Sequence, residues 1–79
     1  MKLLGQPHKR YRKDGGAGWY WELPGGIEAQ LSRNPIQWLW SWGAKRVSYC
    51  GERPRRRGMM RRALRDLEAS IRKYGRARR

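Results

Sequence analysis

Eight arginines lie between Arg53 and Arg72, and their chemistry is the most distinctive in this chain. A guanidinium group is planar, stays charged, and can donate two parallel hydrogen bonds to a phosphate or a carboxylate. Arginine outnumbers lysine by 15 to 5, and the formal net charge is +14. A solvated surface alone does not account for this excess, because a net charge of ~2–8 keeps a small domain soluble. The composition therefore indicates a polyanionic or acidic partner.

We predict one binding surface on the C-terminal segment and a second contact near the N-terminus. The first set consists of arginines before and on a predicted helix: Arg53, Arg55, Arg56, Arg57, Arg61, Arg65 and Arg72. The second set belongs to a basic arm: Lys9, Arg10, Arg12 and Lys13. Tyr20 alternates with tryptophans on its predicted strand, so it faces away from them and is the better candidate for stacking on a base.

The chain offers little material for catalysis or metal binding. His8 is its one histidine and Cys50 its one cysteine. A Cys–His nucleophile needs the two groups in contact and a third group that orients the base, and one His and one Cys cannot complete a zinc site. The glycine-rich stretch at 15–18 lacks the Gly-Lys-Ser/Thr ending of a phosphate-binding loop. We therefore expect a non-catalytic protein without cofactor or metal, with Cys50 as a partly buried strand residue.

Charge divides this single domain into three segments. Residues 1–16 form a basic N-terminal arm or edge strand with five basic residues and one acid, and residues 1–6 are expected to be mobile. Residues 17–52 hold all five tryptophans, carry no net charge and should form an antiparallel sheet. Residues 53–79 form an arginine-rich helix and a basic tail, with twelve basic residues and two acids. Each tryptophan can bury roughly 150–250 Å², so tryptophans should supply much of a small core.

Residues 18–31 predict a β-hairpin. Trp19, Trp21 and Leu23 alternate with polar or opposite-facing neighbours, and a Pro-Gly-Gly sequence interrupts the pattern. Alternation then resumes from Ile27. A period of two on both sides of a turn signal is typical of two paired strands.

Residues 35–49 are compatible with a helix or with strands. In a helix, Asn34 would cap the first turn and Gly43 would follow the last. However, at 100° per residue the apolar side chains scatter around the helix axis, whereas a period of two places the three tryptophans of 38–42 on one face. We therefore predict two strands, joined by a turn at 43–45.

Residues 59–74 show a helical pattern. Apolar side chains recur at i, i+3 and i+4: Met60, Ala63, Leu64, Leu67, Ile71 and Tyr74. Arginines fill much of the other side, and Gly75 is placed to follow the last turn. The predicted fold class is therefore α+β: a small antiparallel β-meander of three to five strands, with one C-terminal amphipathic helix packed on a tryptophan-rich sheet face. The tryptophans are then core rather than a base-stacking surface.

In its general features the chain resembles the small single-domain proteins that phages and prophages encode against host defences, anti-CRISPR proteins above all. The resemblance covers the whole chain and rests on its length, the hairpin GWYWELPGG, the late helix RPRRRGMMRRALRDLEASIRKYG and the missing catalytic and metal motifs. It assigns no individual functional residue. Many such inhibitors are acidic and mimic DNA, which the positive charge excludes here. The resemblance implies a protein that covers an acidic patch of a host nucleoprotein complex, or grips its nucleic acid, so that target DNA cannot load.

Three functions are open on this evidence. The first is an inhibitor that binds a host nucleoprotein complex, and the second is a DNA- or RNA-binding module whose contacts go mainly to the backbone. The third, activity at a membrane surface, ranks last because the apolar side of the helix is needed for the core. A single cysteine and the early end of the apolar run at residues 1–4 favour the cytoplasm, that of a host bacterium if a phage encodes the chain. We expect a monomer or weak dimer and no small-molecule substrate.

Overall fold

The chain forms a five-stranded antiparallel sheet with one C-terminal helix on one of its faces. The computed structural model describes residues 4–13 and 16–75, and the side chains of residues 11–13 lie outside that description. The strands are β1 Lys9–Lys13, β2 Gly16–Leu23, β3 Ile27–Arg33, β4 Gln37–Ala44 and β5 Val47–Pro54, neighbours in chain order. Helix α1 spans Met59–Ser70, and Ile71–Gly75 continue it as a π-helical turn. The predicted α+β meander with a C-terminal helix is confirmed.

Side-chain alternation gives the sheet two unlike faces. Trp21 lies opposite Ala29 in the β2–β3 register, and Ala29 lies opposite Trp42 in the β3–β4 register. Because directly opposed residues share a face, the apolar rows of these strands meet on one side, the inner face. Its buried side chains are Trp21, Ala29, Leu31, Trp38 and Trp42. The other side is the open face, and its exposed or half-buried side chains are Tyr20, Glu22, Glu28, Gln30, Ser32, Leu39, Ser41, Ser48, Cys50 and Glu52.

The helix covers the inner face with the apolar side that its periodicity predicts. Ala63 and Leu67 are fully buried against the sheet. The indole Nε1 of Trp42 donates a hydrogen bond to Ser70 Oγ at 2.8 Å, so this buried N–H group keeps a partner. Among the residues that the structure describes, no helix is long and apolar enough to span a bilayer.

Aromatic stacking closes the end of the core where the helix finishes. The ring centroids of Trp42 and Tyr49 lie 5.1 Å apart, and those of Tyr49 and Tyr74 lie 4.4 Å apart. Gly75 belongs to the last helical turn instead of following it, and its φ is not positive. A Cβ there would lie 3.5 Å from Ile27 Cδ1, because the wide π turn keeps the chain helical and packed on the sheet. Gly75 was expected to follow the last turn; instead it is the last residue of that turn.

Asn34, which could have capped a helix, instead lies in the turn between β3 and β4. Asn34 Oδ1 accepts hydrogen bonds from the backbone N–H groups of Ile36 and Gln37, at 2.9 and 2.8 Å. A helix N-cap makes the same kind of bonds, but here they shape the β3–β4 connection. The predicted strands are confirmed. The turn after β4 lies slightly later than expected, because Gly43 and Ala44 still pair with β5.

The N-terminal segment joins the fold from Leu4 onward. Leu4 is only 8% exposed, and its backbone N–H donates to Glu68 Oε2 at 3.2 Å. The indole of Trp21 donates to the carbonyl of Gly5, also at 3.2 Å. The expectation that residues 1–6 are mobile does not fit Leu4 and Gly5, which these contacts hold to the helix and to Trp21, while residues 1–3 lie outside the described part of the chain.

Candidate functional site

The open face of the sheet is acidic although its segment is neutral in sequence. Three carboxylates lie on it: Glu22, Glu28 and Glu52. The basic residues of the same segment lie elsewhere, since Arg33 is 5.8 Å from the ring centroid of Trp38 on the inner face. Lys45 and Arg46 form the β4–β5 turn. Within residues 17–52, no basic residue therefore shares the open face with these glutamates, although the β1–β2 register places Lys9 of the preceding strand there.

The opposite side of the molecule is rich in exposed arginine. Seven arginines after β5 are exposed: Arg55, Arg56, Arg57, Arg61, Arg62, Arg65 and Arg72. Within residues 4–13 and 16–75, Arg57, Arg61 and Arg65 form no ion pair with a carboxylate. Arg55 Nη1 lies 3.5 Å from the carbonyl oxygen of Pro35, a contact at the limit of a hydrogen bond.

Arg53, also predicted to bind a partner, is held by the fold itself. Its Nε donates to Asp66 Oδ2 at 2.7 Å and its Nη2 to Asp66 Oδ1 at 3.0 Å. This two-point hydrogen bond, together with the charge of Asp66, raises the pKa of Arg53 above its ordinary value. The pair ties β5 to α1, so the guanidinium of Arg53 has a carboxylate partner before any ligand arrives.

Three predicted arginines from two ends of the chain border one cleft. Arg10 of β1 and Arg61 and Arg65 of α1 line a cleft of about 530 Å³ between the helix and the β1–β2 side of the sheet. The rest of its lining is mostly apolar: Leu4, Gly5, Pro7, Trp19, Trp21, Met60, Leu64 and the carboxylate of Glu68. The N-terminal arm therefore does reach the helix arginines, through Arg10.

A second, more open depression extends this surface toward the start of the helix. It measures about 520 Å³ and shares Met60, Arg61 and Leu64 with the cleft, while Arg57 lines this depression but not the cleft. Gly58, at φ 80°, adopts the left-handed conformation between Arg57 and the first helical turn. Four side chains thus follow one another along a continuous surface, which we call the arginine surface: Arg57, Arg61, Arg65 and Arg10.

The other predicted residues of the arm occupy different positions. Lys9 pairs with Tyr20 in the β1–β2 register, which places it on the open face. Arg12 and Lys13 pair with Ala17 and Gly16 along the backbone, and their side chains lie outside the described part of the structure.

Tyr20, the predicted stacking residue, lies in acidic surroundings on the open face. The ring of His8 meets it edge-on at 6.1 Å, and its hydroxyl bonds to Glu28. Desolvation raises the pKa of Tyr20 most, with further contributions from the hydrogen bond and charge of Glu28 and from the charge of Glu22. Neighbouring carboxylates repel phosphate, so these surroundings do not favour a nucleic-acid contact.

Trp19 is the more exposed of the two tryptophans that line the cleft with the arginines, and sequence reasoning assigned it only to the core. It is half-buried, and its ring stacks on Trp38 at 6.0 Å with an interplanar angle of 29°. The β1–β2 register places it directly opposite Arg10. The pairing of Trp19 with Arg10 could have indicated this site, but it can be recognised only when the β1–β2 register is known.

The single cysteine and the single histidine both lie outside the arginine surface. Cys50 is exposed, so the expectation of a partly buried residue is wrong. Side chains of β5 alternate between the two faces, and because Val47 faces inward, Ser48 and Cys50 face outward. His8 Nε2 lies 3.1 Å from Glu22 Oε1. In the described ranges, no group of three or more His, Cys, Asp or Glu side chains is placed to hold a metal ion.

No protein-family model, curated protein or solved structure matches this chain. What the arginine surface can bind has to follow from its own charge and shape. Adjoining guanidinium groups without carboxylate partners among the described residues can bind phosphate groups, each through two parallel hydrogen bonds. The apolar lining beside them can accept a flat, weakly polar group.

Proposed function

We propose that this protein binds nucleic acid through the arginine surface, mainly by contacts to backbone phosphates. The observation that carries the proposal is the separation of charge between the two sides of the molecule. Arg10, Arg57, Arg61 and Arg65 adjoin one another on the helix side, whereas the glutamates of the sheet stand on the open face.

This separation gives the protein one orientation toward a polyanion. The helix side should attract phosphate more strongly than the open face, where three glutamates offset part of the positive charge, so an approaching nucleic acid is steered to the arginines. Total charge alone would attract phosphate to every side. Arginines confined to one surface make the same few phosphate contacts each time the protein binds.

The contacts should depend little on base sequence. Phosphate contacts fix the position of a protein on nucleic acid and carry no direct sequence information. The exposed positions of α1 are mostly arginines, with Asp66 held by Arg53. Binding is therefore expected to be governed by the backbone and to respond strongly to salt.

A salt titration with a matched pair of variants tests the proposal. For a labelled DNA duplex, log affinity should fall linearly with log salt, with a slope of about −0.9 for each phosphate contact. The double variant Arg57→Gln and Arg61→Gln should make this slope shallower by about two contacts. The control, Lys45→Gln and Arg46→Gln, removes the same charge at the β4–β5 turn, at the opposite end of β5 from Arg57. Weak binding without a salt slope, or equal loss in both double variants, would overturn the proposal.

A second candidate is an inhibitor that occupies a host nucleoprotein complex and blocks loading of target DNA. The observation that favours it is a second exposed surface with different chemistry, the open face, where Leu39 remains 37% exposed. One side of such a protein could hold nucleic acid while the other contacts an associated protein. Capture from a bacterial lysate, with and without nuclease, separates the two functions. A specific protein recovered in stoichiometric amount after nuclease treatment supports the inhibitor, whereas recovery of nucleic acid alone counts against it.

A further inference from the structure

We infer that the cleft bordered by Arg10, Arg61 and Arg65 receives one unstacked base of a single nucleic-acid strand, while these arginines hold the phosphates beside it. The inference rests on the proposed function and deepens it, because it names single-stranded nucleic acid as the ligand. Phosphate binding alone leaves the apolar part of the cleft unused, and the inserted base would occupy it.

The size and lining of the cleft suit a nucleotide unit. Its volume of about 530 Å³ lies within the ~300–1,000 Å³ that is common for ligand pockets. The half-buried Trp19 supplies aromatic surface and Leu64 supplies aliphatic surface, while Trp21, only 4% exposed, closes the inner end. A base has a flat π face that stacks on an aromatic side chain whatever its identity.

The charges at the cleft suit the groups that flank a base in a strand. A base is joined through its sugar to a phosphate on each side, so an inserted base brings negative charge to the edge of its pocket. Arg10 comes from β1, and Arg61 and Arg65 are neighbours four residues apart on α1. Guanidinium groups from both walls can therefore meet the phosphates. Glu68, the carboxylate in the lining, already accepts a hydrogen bond from the backbone N–H of Leu4.

The walls of the cleft are fixed by contacts within the fold. Trp19 stacks on Trp38, and the indole N–H of Trp21 is held by the carbonyl of Gly5. The bond between Leu4 and Glu68 joins the N-terminal wall to the helix. A site whose walls are already ordered loses less conformational entropy when a ligand binds.

A base inside a duplex cannot occupy this cleft without leaving its pair and its stack. That step costs energy, and the cost is least for a strand that is already single. Among nucleic acids of equal charge, the cleft therefore selects single strands and discriminates by the presence of a base rather than its identity.

The test compares two strands that differ only in their bases. One is an oligothymidylate of about 12 nucleotides, and the other is an abasic sugar-phosphate strand with the same number of phosphates. Fluorescence anisotropy in a single buffer gives both affinities. We expect the base-containing strand to bind about 5- to 150-fold more tightly, which is the usual gain from stacking one base on an aromatic residue.

Variants of the cleft locate this preference. Trp19→Leu should remove the preference for bases while leaving the affinity for the abasic strand almost unchanged. Far-UV circular dichroism shows whether this variant folds. Should it not fold, a second pair still decides: Leu64→Ala, in the apolar lining of the cleft, should reduce the preference, whereas Leu39→Ala, on the open face, should leave it intact.

The outcomes separate this inference from the proposed function. Equal affinities for the two strands, with a salt slope for both, would overturn the cleft inference and leave phosphate binding standing. Binding of neither strand would overturn both. A single mononucleotide that bound as tightly as the oligothymidylate would contradict the assignment of a strand and make the cleft a small-molecule site.

Discussion

The helix side and the open face of the sheet cover the same core but display opposite charges. On the helix side, Ala63 and Leu67 are buried and arginines project outward. On the open face, glutamates project outward from strands whose tryptophans are buried. A helical period of 3.6 residues and a strand period of two sort the charges onto separate surfaces. The periods of the elements thus turn one basic chain into a molecule with two unlike sides.

This difference shows that charge has to be counted by surface rather than by segment. Residues 17–52 are neutral in sum. Their glutamates share the open face, whereas Arg33 lies on the inner face near Trp38. The sum therefore hides an acidic surface, and the arginine surface differs from its surroundings more than the sequence alone indicates.

On the open face, two glutamates of neighbouring strands repel each other. Glu22 and Glu28 are directly opposed across β2 and β3, and like charges in that position are destabilising. His8 lies 3.1 Å from Glu22, and the hydroxyl of Tyr20 bonds to Glu28. Neighbouring polar groups thus partly compensate for the pair.

The largest contrast between the two sides should appear when their leucines are truncated. Leu67 is fully buried between helix and sheet, so Leu67→Ala should lower the free energy of unfolding by about 2–5 kcal/mol. Leu39 is 37% exposed on the open face, and Leu39→Ala should cost less than about 1 kcal/mol. Urea denaturation followed by circular dichroism measures both values. Equal losses would show that the helix does not cover the inner face as described.

A smaller effect is expected at a close contact within the sheet. A Cβ on Gly51 would lie 2.5 Å from Cε2 of Trp40, so Gly51→Ala must displace this indole. Overpacking of this kind typically costs about 1–3 kcal/mol. At Gly43 the nearest atom would be 3.5 Å away, and Gly43→Ala is the matched control, with an expected change within about 0.5 kcal/mol. A loss at Gly43 as large as that at Gly51 would contradict the packing of Trp40.

The smallest effect concerns Tyr20 on the open face at high pH. Desolvation and Glu28 raise the pKa of Tyr20 above its usual 10.0, so the folded state holds this proton more tightly than the unfolded chain does. Stability should therefore fall as the pH rises above about 10. Tyr20→Phe should make this decline shallower in denaturation curves recorded across that range. An unchanged decline in the variant would show that Tyr20 is not its source.

The sequence was sufficient to predict the elements whose periodicity is strong. Trp38, Trp40 and Trp42 all share a face only at a period of two, and Met60, Ala63 and Leu67 all share one only at a helical period. These two patterns imply a helix on a tryptophan-rich sheet, which is the fold observed.

The residues that build the site depend on contacts that no local pattern encodes. Asp66, which holds Arg53, lies 13 residues away, and Glu68, which binds the N–H of Leu4, lies 64 residues away. The register that sets Arg10 opposite Trp19 is fixed by pairing between two strands. Helix and strand periods predict which face a side chain occupies, but not which side chain it meets across the core.

A charge-conserving exchange tests most directly whether location, rather than total charge, governs binding. Arg57→Gln and Arg61→Gln remove two positive charges from the arginine surface, and Glu22→Gln and Glu28→Gln remove two negative charges from the open face. The fourfold variant keeps the net charge at +14. We predict that it binds a single strand as weakly as the double arginine variant, with the same reduced salt slope. A return of affinity and slope to the values of the unmodified protein would contradict a localised arginine surface.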